Sequence, residues 1–365
     1  MKRILFKMSV LVPMLIGLPA LGVFLAGGDM SAYLEFPPRT RYVGHAPFSW
    51  TVFSAYTLFV VLVLSPFLYR VLRRKENARA SAPTRRPFPS WGWFGVILGL
   101  GAWVIAWSRF PWVGHLQSHT FTPLWIAYII TVNALTHRRT GRCMLLEKPG
   151  RFLLLFPTSA LFWWFFEYLN RFVQNWVYSG THFSAWEYFW YATLPFSTVL
   201  PAVIGTRELL LSFSWPRKRF GDFFILRPPC PRGIAGIVLL AAGTGLACIG
   251  IRPNLLFPLL WVSPLLILVS LQALFGEEHI FTPVGRGDWS LIAASAAAAL
   301  ACGFFWEMWN FFSLARWQYN VPFVNRFHVF EMPILGYAGY LPFGLECAVI
   351  ADLISSRGSF SADVI

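Results

Sequence analysis

The chain has 365 residues, 56% of them hydrophobic and 18% aromatic, and only 13% charged. A soluble domain carries about 25% charged residues, so this composition excludes an ordinary water-soluble globule and points to lipid as the solvent. The formal net charge of +14 does not argue for nucleic acid, because the basic residues sit in the loops between apolar stretches.

Crossing a hydrocarbon core takes about 20 apolar residues. Stretches that meet or approach this are 4–27, 48–69, 91–107, 121–135, 152–169, 188–206, 233–251, 255–275, 289–309 and 332–350. The fourth is short and is expected to extend or tilt. The sequence therefore predicts an all-α, polytopic integral membrane protein of about ten transmembrane helices. Residues 1–27 also fit a signal peptide, whose removal would leave nine helices; the long apolar run favours retention.

With the N-terminus cytoplasmic, every strongly basic loop falls on the same side. Outside there remain seven arginines, Arg39, Arg41, Arg109, Arg171, Arg252, Arg316 and Arg326. This is the positive-inside pattern, and it predicts a bacterial-type inner membrane with both termini cytoplasmic.

In chain order the organisation reads as an N-terminal helix pair (1–71), a basic cytoplasmic linker (72–90), a four-helix unit (91–212), a basic loop (213–231), a second four-helix unit (232–354) and a cytoplasmic tail (355–365). The two units are expected to be tandem copies. FFEYLNRFVQNWVY at 165–178 matches FWEMWNFFSLARWQY at 305–319. Glu167 aligns with Glu307, Asn170 with Asn310, and Trp176 and Tyr178 with Trp317 and Tyr319 after a one-residue gap. Each segment runs on to a His and a Glu (His182 and Glu187; His328 and Glu331), then to a Leu-Pro and a later glutamate (Glu208; Glu346). An even number of helices per copy makes the repeats parallel, related by an axis along the membrane normal.

Ionisable side chains within apolar helices cost about 2.5–3.5 kcal/mol on insertion scales, so each asks for a partner or a role. Glu167 and Glu307 are the leading candidates for acid/base chemistry. Asn170 and Asn310 stand three residues on, and so on the same helix face. The competing reading is an interfacial carboxylate held by Arg171 or Arg316. Glu346 lies deep in the last helix with no charged neighbour in sequence, while Glu208, beside Arg207, reads as a solvated pair. Trp306, Trp309, Trp317, Tyr319, Trp164, Trp176 and Tyr178 offer an aromatic lining for a hydrophobic ligand, against the plain alternative of an interfacial aromatic belt. His328, His182, Glu331 and Glu187 supply imidazole and carboxylate donors for a divalent metal, although outer-loop histidines more often serve as hydrogen-bonding groups. Five cysteines without a CxxC pair form no disulfide framework or thiolate site.

FWEMWNF and FGEEHIF (275–281) are loosely similar to segments of the membrane lycopene cyclases of carotenoid synthesis. The likeness covers a few short segments, implies an isoprenoid-type substrate, and carries over no site residue. P-loop, GxSxG and DxxxD-type diphosphate motifs are missing from the sequence, which argues against ATP-driven transport by this chain alone and against serine hydrolysis. Three readings stay open: an enzyme acting by glutamate acid/base chemistry on a lipid-like substrate near the extracytoplasmic leaflet, a proton-coupled secondary transporter, and a non-catalytic subunit of a membrane complex. The partners expected are the bilayer and a lipid-like small molecule, with no nucleic acid.

Overall fold

A computed structural model describes residues 9–73, 86–180 and 182–354. Most of the linker 72–90 and all of the tail 355–365 lie outside these residues. The chain is mostly helical (70%). Its main elements are α1 (Ser9–Leu25), α2 (Trp50–Arg73), α3 (Ser90–Trp107), α4 (Phe121–Thr140), α5 (Pro149–Val173), β1 (Trp176–Ser179), α6 (Ala185–Phe196), α7 (Val199–Leu211), α8 (Pro231–Ala247), α9 (Leu259–Leu274), α10 (Ser290–Phe311), β2 (Arg316–Tyr319) and α11 (Tyr340–Leu353). Each of the ten apolar stretches contains helix, interrupted in several by turns and, at Met332–Pro333, by a strand.

Among the described residues six helical segments are long and apolar enough to cross a membrane: α2, α3, α5, α6 with α7, α10, and 334–353 including α11. Three more, α1, α8 and α9, are apolar but shorter. The stretch at 121–135 does extend, to Thr140, and ends on His137, Arg138 and Arg139 before Gly141 closes it in a left-handed cap. The membrane class follows from these helices. Two small antiparallel ribbons, β1 with β2 and His328–Val329 with Met332–Pro333, qualify the all-α expectation.

Packing follows a regular order. The bundle pairs α3 with α4, α8 with α9 and α10 with α11, while α7 lies against α4, α5 and α10. Small residues set the closest approach: a Cβ added at Gly344 of α11 would stand 2.2 Å from the Ser295 carbonyl oxygen of α10. A continuous buried core runs through the bundle, including Trp125, Phe166, Leu200, Leu260 and Phe343. The Arg-bearing helix ends gather at one end of the bundle. Arg70 donates to the Arg219 carbonyl at 2.9 Å, Arg139 to Ser212 Oγ at 3.0 Å, and Arg151 faces Asp352 at 3.7 Å.

One helix stands apart. α2 has no buried residue. Its basic end is held by Arg70 and by Phe67, which packs on Phe220, Phe223 and Trp289. At the other end Ser49 N–H donates to the Phe323 carbonyl at 2.9 Å, and Phe53 meets Phe48 and Phe327. Between these anchors it leaves a gap against the body of the bundle.

Candidate functional site

At the end of the bundle opposite the gathered arginines, α5 and α10 each finish on a glutamate–asparagine pair and hand the chain to a short strand. α5 stops because Gln174 turns left-handed (φ 47°), its N–H donating to the Asn170 carbonyl at 2.7 Å. Asn170 then fixes the strand. Its Nδ2 donates to the Trp176 carbonyl at 2.8 Å, and its Oδ1 accepts from Asn175 N–H at 2.9 Å. Asn310 repeats the bond set: Nδ2 donates to the Trp317 carbonyl at 2.8 Å and Oδ1 accepts from Trp317 N–H at 2.9 Å.

The strands so placed pair antiparallel, with Trp176 opposite Tyr319, Val177 opposite Gln318, and Tyr178 opposite Trp317. A twofold axis through the Val177–Gln318 pair interchanges the two Trp-x-Tyr segments. The tight link after β1 needs a glycine. Gly180 has φ +91°, and a Cβ there would fall 1.8 Å from the Leu314 carbonyl oxygen.

The glutamates differ in what surrounds them. Glu167 Oε1 accepts three hydrogen bonds, from Tyr178 OH at 2.6 Å, Trp176 Nε1 at 3.0 Å and Trp163 Nε1 at 3.2 Å. Oε2 accepts none among the described residues, and Glu167 lines a cavity of about 880 Å³. Glu307 is fully buried: Oε1 accepts from Tyr340 OH at 2.6 Å and Tyr319 OH at 2.8 Å, while Oε2 is enclosed without a partner among the described residues. Tyr319, like Asn170, Trp176, Tyr178, Trp306 and Trp317, lines the cavity; Glu307 and Asn310 do not. Burial and the adjacent carboxylate push the phenols of Tyr178 and Tyr319 well above the ordinary tyrosine value, so both remain protonated donors.

Neither arginine holds these carboxylates in an ion pair. Arg171 faces Glu35 at 3.9 Å and donates to the Ala32 carbonyl at 2.7 Å, and Arg316 pairs with Glu331 at 3.5 Å. Indoles and phenols do the holding. Trp309 and Trp164 lie outside the cavity lining: Trp309 packs on Trp125, and Trp164 donates to Thr193 Oγ1 at 3.0 Å.

Glu346 is also outside the lining, wholly buried with both carboxyl oxygens unpartnered among the described residues. Arg207 and Glu208 are both buried, so the solvated pair expected from sequence is not formed: Glu208 Oε2 instead accepts from Met144 N–H at 3.2 Å, and no ion pair joins the two side chains among the described residues.

The four expected metal donors do not converge. Glu187 closes a capping box with Ser184, Glu331 is taken by Arg316, His328 bonds Asn325 Oδ1 at 3.2 Å, and His182 is an exposed residue of the cavity wall. Among the described residues no three His, Cys, Asp or Glu side chains group closely enough to hold a metal ion.

Several lining residues escaped the sequence reading. Along α2 the wall is Tyr56, Phe59, Val60, Val63 and Leu64, spaced as one helix face. These positions span about 12 Å of helix axis, and Phe59 is 63% exposed, so packing does not seal the wall that α2 forms. Across from them stand Phe257, Trp261 and Val262, and the 335–342 segment. Trp261 bridges to the core by stacking on Phe166 at 5.0 Å and lies 5.6 Å from the Trp176 ring. Tyr188 lines the cavity 6.3 Å from the Tyr178 ring, its buried hydroxyl unpartnered, and Asn175 Oδ1 is likewise buried and unpartnered. Buried polar atoms left unpaired cost about 1–3 kcal/mol each and normally have a water or a ligand as partner.

Comparison with protein-family models, with curated proteins and with solved structures finds no match to this chain.

Proposed function

We propose that this chain is a membrane-embedded enzyme that performs acid/base chemistry on a lipid-like substrate, with Glu167 as the proton-transferring group. One observation carries the reading: a carboxylate fixed through one oxygen by three donors and open through the other to a cavity whose α2 wall packing does not seal. A fixed carboxylate among indoles and phenols is pre-aimed, which is what proton transfer to a held substrate needs. Sideways access suits a substrate that never leaves the bilayer. Tyr188 and Asn175 line the same cavity and each carries a buried polar atom without a partner among the described residues, and Trp176, Trp261 and Trp306 supply its apolar wall.

The architecture behind this is a doubled four-helix unit, 91–212 and 232–354, within a bundle of about ten spans. The matching Asn170 and Asn310 bonds, the symmetric β1–β2 register and the corresponding α3–α4 and α8–α9 pairs support the doubling. By the positive-inside rule the arginine-rich end lies in the cytoplasm of a bacterial-type inner membrane, and the cavity at the extracytoplasmic leaflet. A proton-coupled transporter draws support from the unpaired Glu346, but the cavity wall stops at Tyr340–Pro342. A purely structural subunit leaves a cavity of this size unexplained.

The test is a lipid profile of cells lacking the protein and complemented with either wild type or Glu167→Gln. The amide oxygen still accepts the three donors, so the variant folds; it fails to restore the wild-type profile. Full restoration by Glu167→Gln contradicts the proposal.

A further inference from the structure

The apolar wall leaves open what headgroup the cavity admits, and its charges narrow the choice. Of the seven arginines that the topology assigns to the outer side, four line this one cavity: Arg39, Arg41, Arg171 and Arg316. Among the described residues the only acidic side chain in the lining is Glu167.

The segments that bear these arginines are tied together at the cavity rim. Gln174 Nε2 donates to the Thr40 carbonyl at 2.9 Å, Arg39 Nη2 donates to the Phe183 carbonyl at 3.2 Å, and Ser179 lies opposite Arg316 across the ribbon. Glu35 and Glu331 offset Arg171 and Arg316 from outside the lining. Arg41 is exposed and has no hydrogen-bond or ion-pair partner among the described residues.

We propose that the cavity binds a phosphate-bearing lipid, its headgroup among these guanidinium groups and its acyl chain along the Tyr56–Leu64 face of α2. This rests on the reading of the same cavity as a laterally open active site. Guanidinium matches phosphate through paired, charge-assisted hydrogen bonds, and several around one space suit a multiply charged head with several acceptor oxygens. Outer-side arginine is otherwise sparse in a chain of this topology, so its concentration here is selective. The apolar face of α2 supplies a length of wall that a small soluble anion does not need.

The experiment is native mass spectrometry of the full-length protein. It is presented in turn with phosphatidic acid, with diacylglycerol of the same acyl chains, and with inorganic phosphate as a competitor. Phosphatidic acid is expected to be retained over diacylglycerol. The exposed-residue double variant R39Q/R41Q should weaken its retention roughly tenfold or more, leaving diacylglycerol unchanged. Equal retention of the two lipids, or an unaltered double variant, overturns the proposal. So does phosphate displacing phosphatidic acid at equal concentration, which would show a site for a free anion. Lipid turnover on Glu167→Gln is read separately, so a cavity that binds phosphatidic acid without turning it over fails the enzymatic reading alone, and a working enzyme indifferent to phosphate fails this one alone.

Discussion

The ends of α5 and α10 carry the same residues in the same order, yet one glutamate faces a cavity and the other faces none. Around Glu167 the donors are two indoles and one phenol, gathered on a single oxygen, and the second oxygen is open. Around Glu307 two phenols close from both sides, Tyr319 from the strand and Tyr340 from the start of α11, and the second oxygen is shut in. The difference lies outside the matched segments. Tyr340 is delivered by the 334–342 segment, whereas the position before the matching Leu200-Pro201 is Val199, which has no hydroxyl to give, and Tyr188 OH stays buried without a partner among the described residues. Matching glutamate, asparagine and strand residues are thus closed in around Glu307 and left on a cavity wall at Glu167.

Predictions that would break or sharpen this contrast run from large effects to small. Glu307→Ala strips two buried phenols of their acceptor and opens a cavity, at a cost of about 3–5 kcal/mol; thermal unfolding in detergent reads it as a large loss. Glu167→Gln should barely move the same transition, and a comparable loss in both would erase the distinction drawn here. Gly180→Ala forces a left-handed residue against the Leu314 carbonyl and should destabilise by about 1–3 kcal/mol, seen as a lower unfolding temperature with disturbed fluorescence from the ribbon tryptophans. Asn170→Ala and Asn310→Ala each remove a pair of bonds to the strand backbone and should cost about 1–3 kcal/mol, alike in both halves because the bonds are alike.

The smallest effect is alkaline. The folded-state values of Tyr178 and Tyr319 are raised, so the stability they contribute is complete below the unfolded tyrosine value of about 10 and is lost as pH rises above it. Tyr178→Phe and Tyr319→Phe should remove none of the absorbance change seen as ordinary tyrosines ionise.

Much of this was legible in the sequence. Low charge and long apolar runs gave the membrane class, and the spacing of Glu167, Asn170, Trp176 and Tyr178 against Glu307, Asn310, Trp317 and Tyr319 picked out both ends of the ribbon. Helix periodicity could not reveal the strand pairing, because a four-residue ribbon is too short to show alternation against an aromatic-rich background. Nor could sequence rank the two glutamates. Their local segments match, and the choice between open and closed depends on Tyr340, Tyr188 and α2, which come from distant parts of the chain. The arginines were visible, but the competing reading that they hold Glu167 or Glu307 could not be judged from sequence: Arg171 reaches Glu35 and Arg316 reaches Glu331. The expected metal donors failed to gather because three of the four are engaged elsewhere, Glu187 with Ser184, Glu331 with Arg316 and His328 with Asn325.

The contrast between the two carboxyl groups is open to direct chemical probing. A hydrophobic carbodiimide, dissolved in the bilayer around the folded protein, modifies carboxyl groups that it can reach from lipid. Peptide mass spectrometry should find the adduct on Glu167 and leave Glu307 unmodified. An adduct on Glu307 with Glu167 untouched would contradict the account.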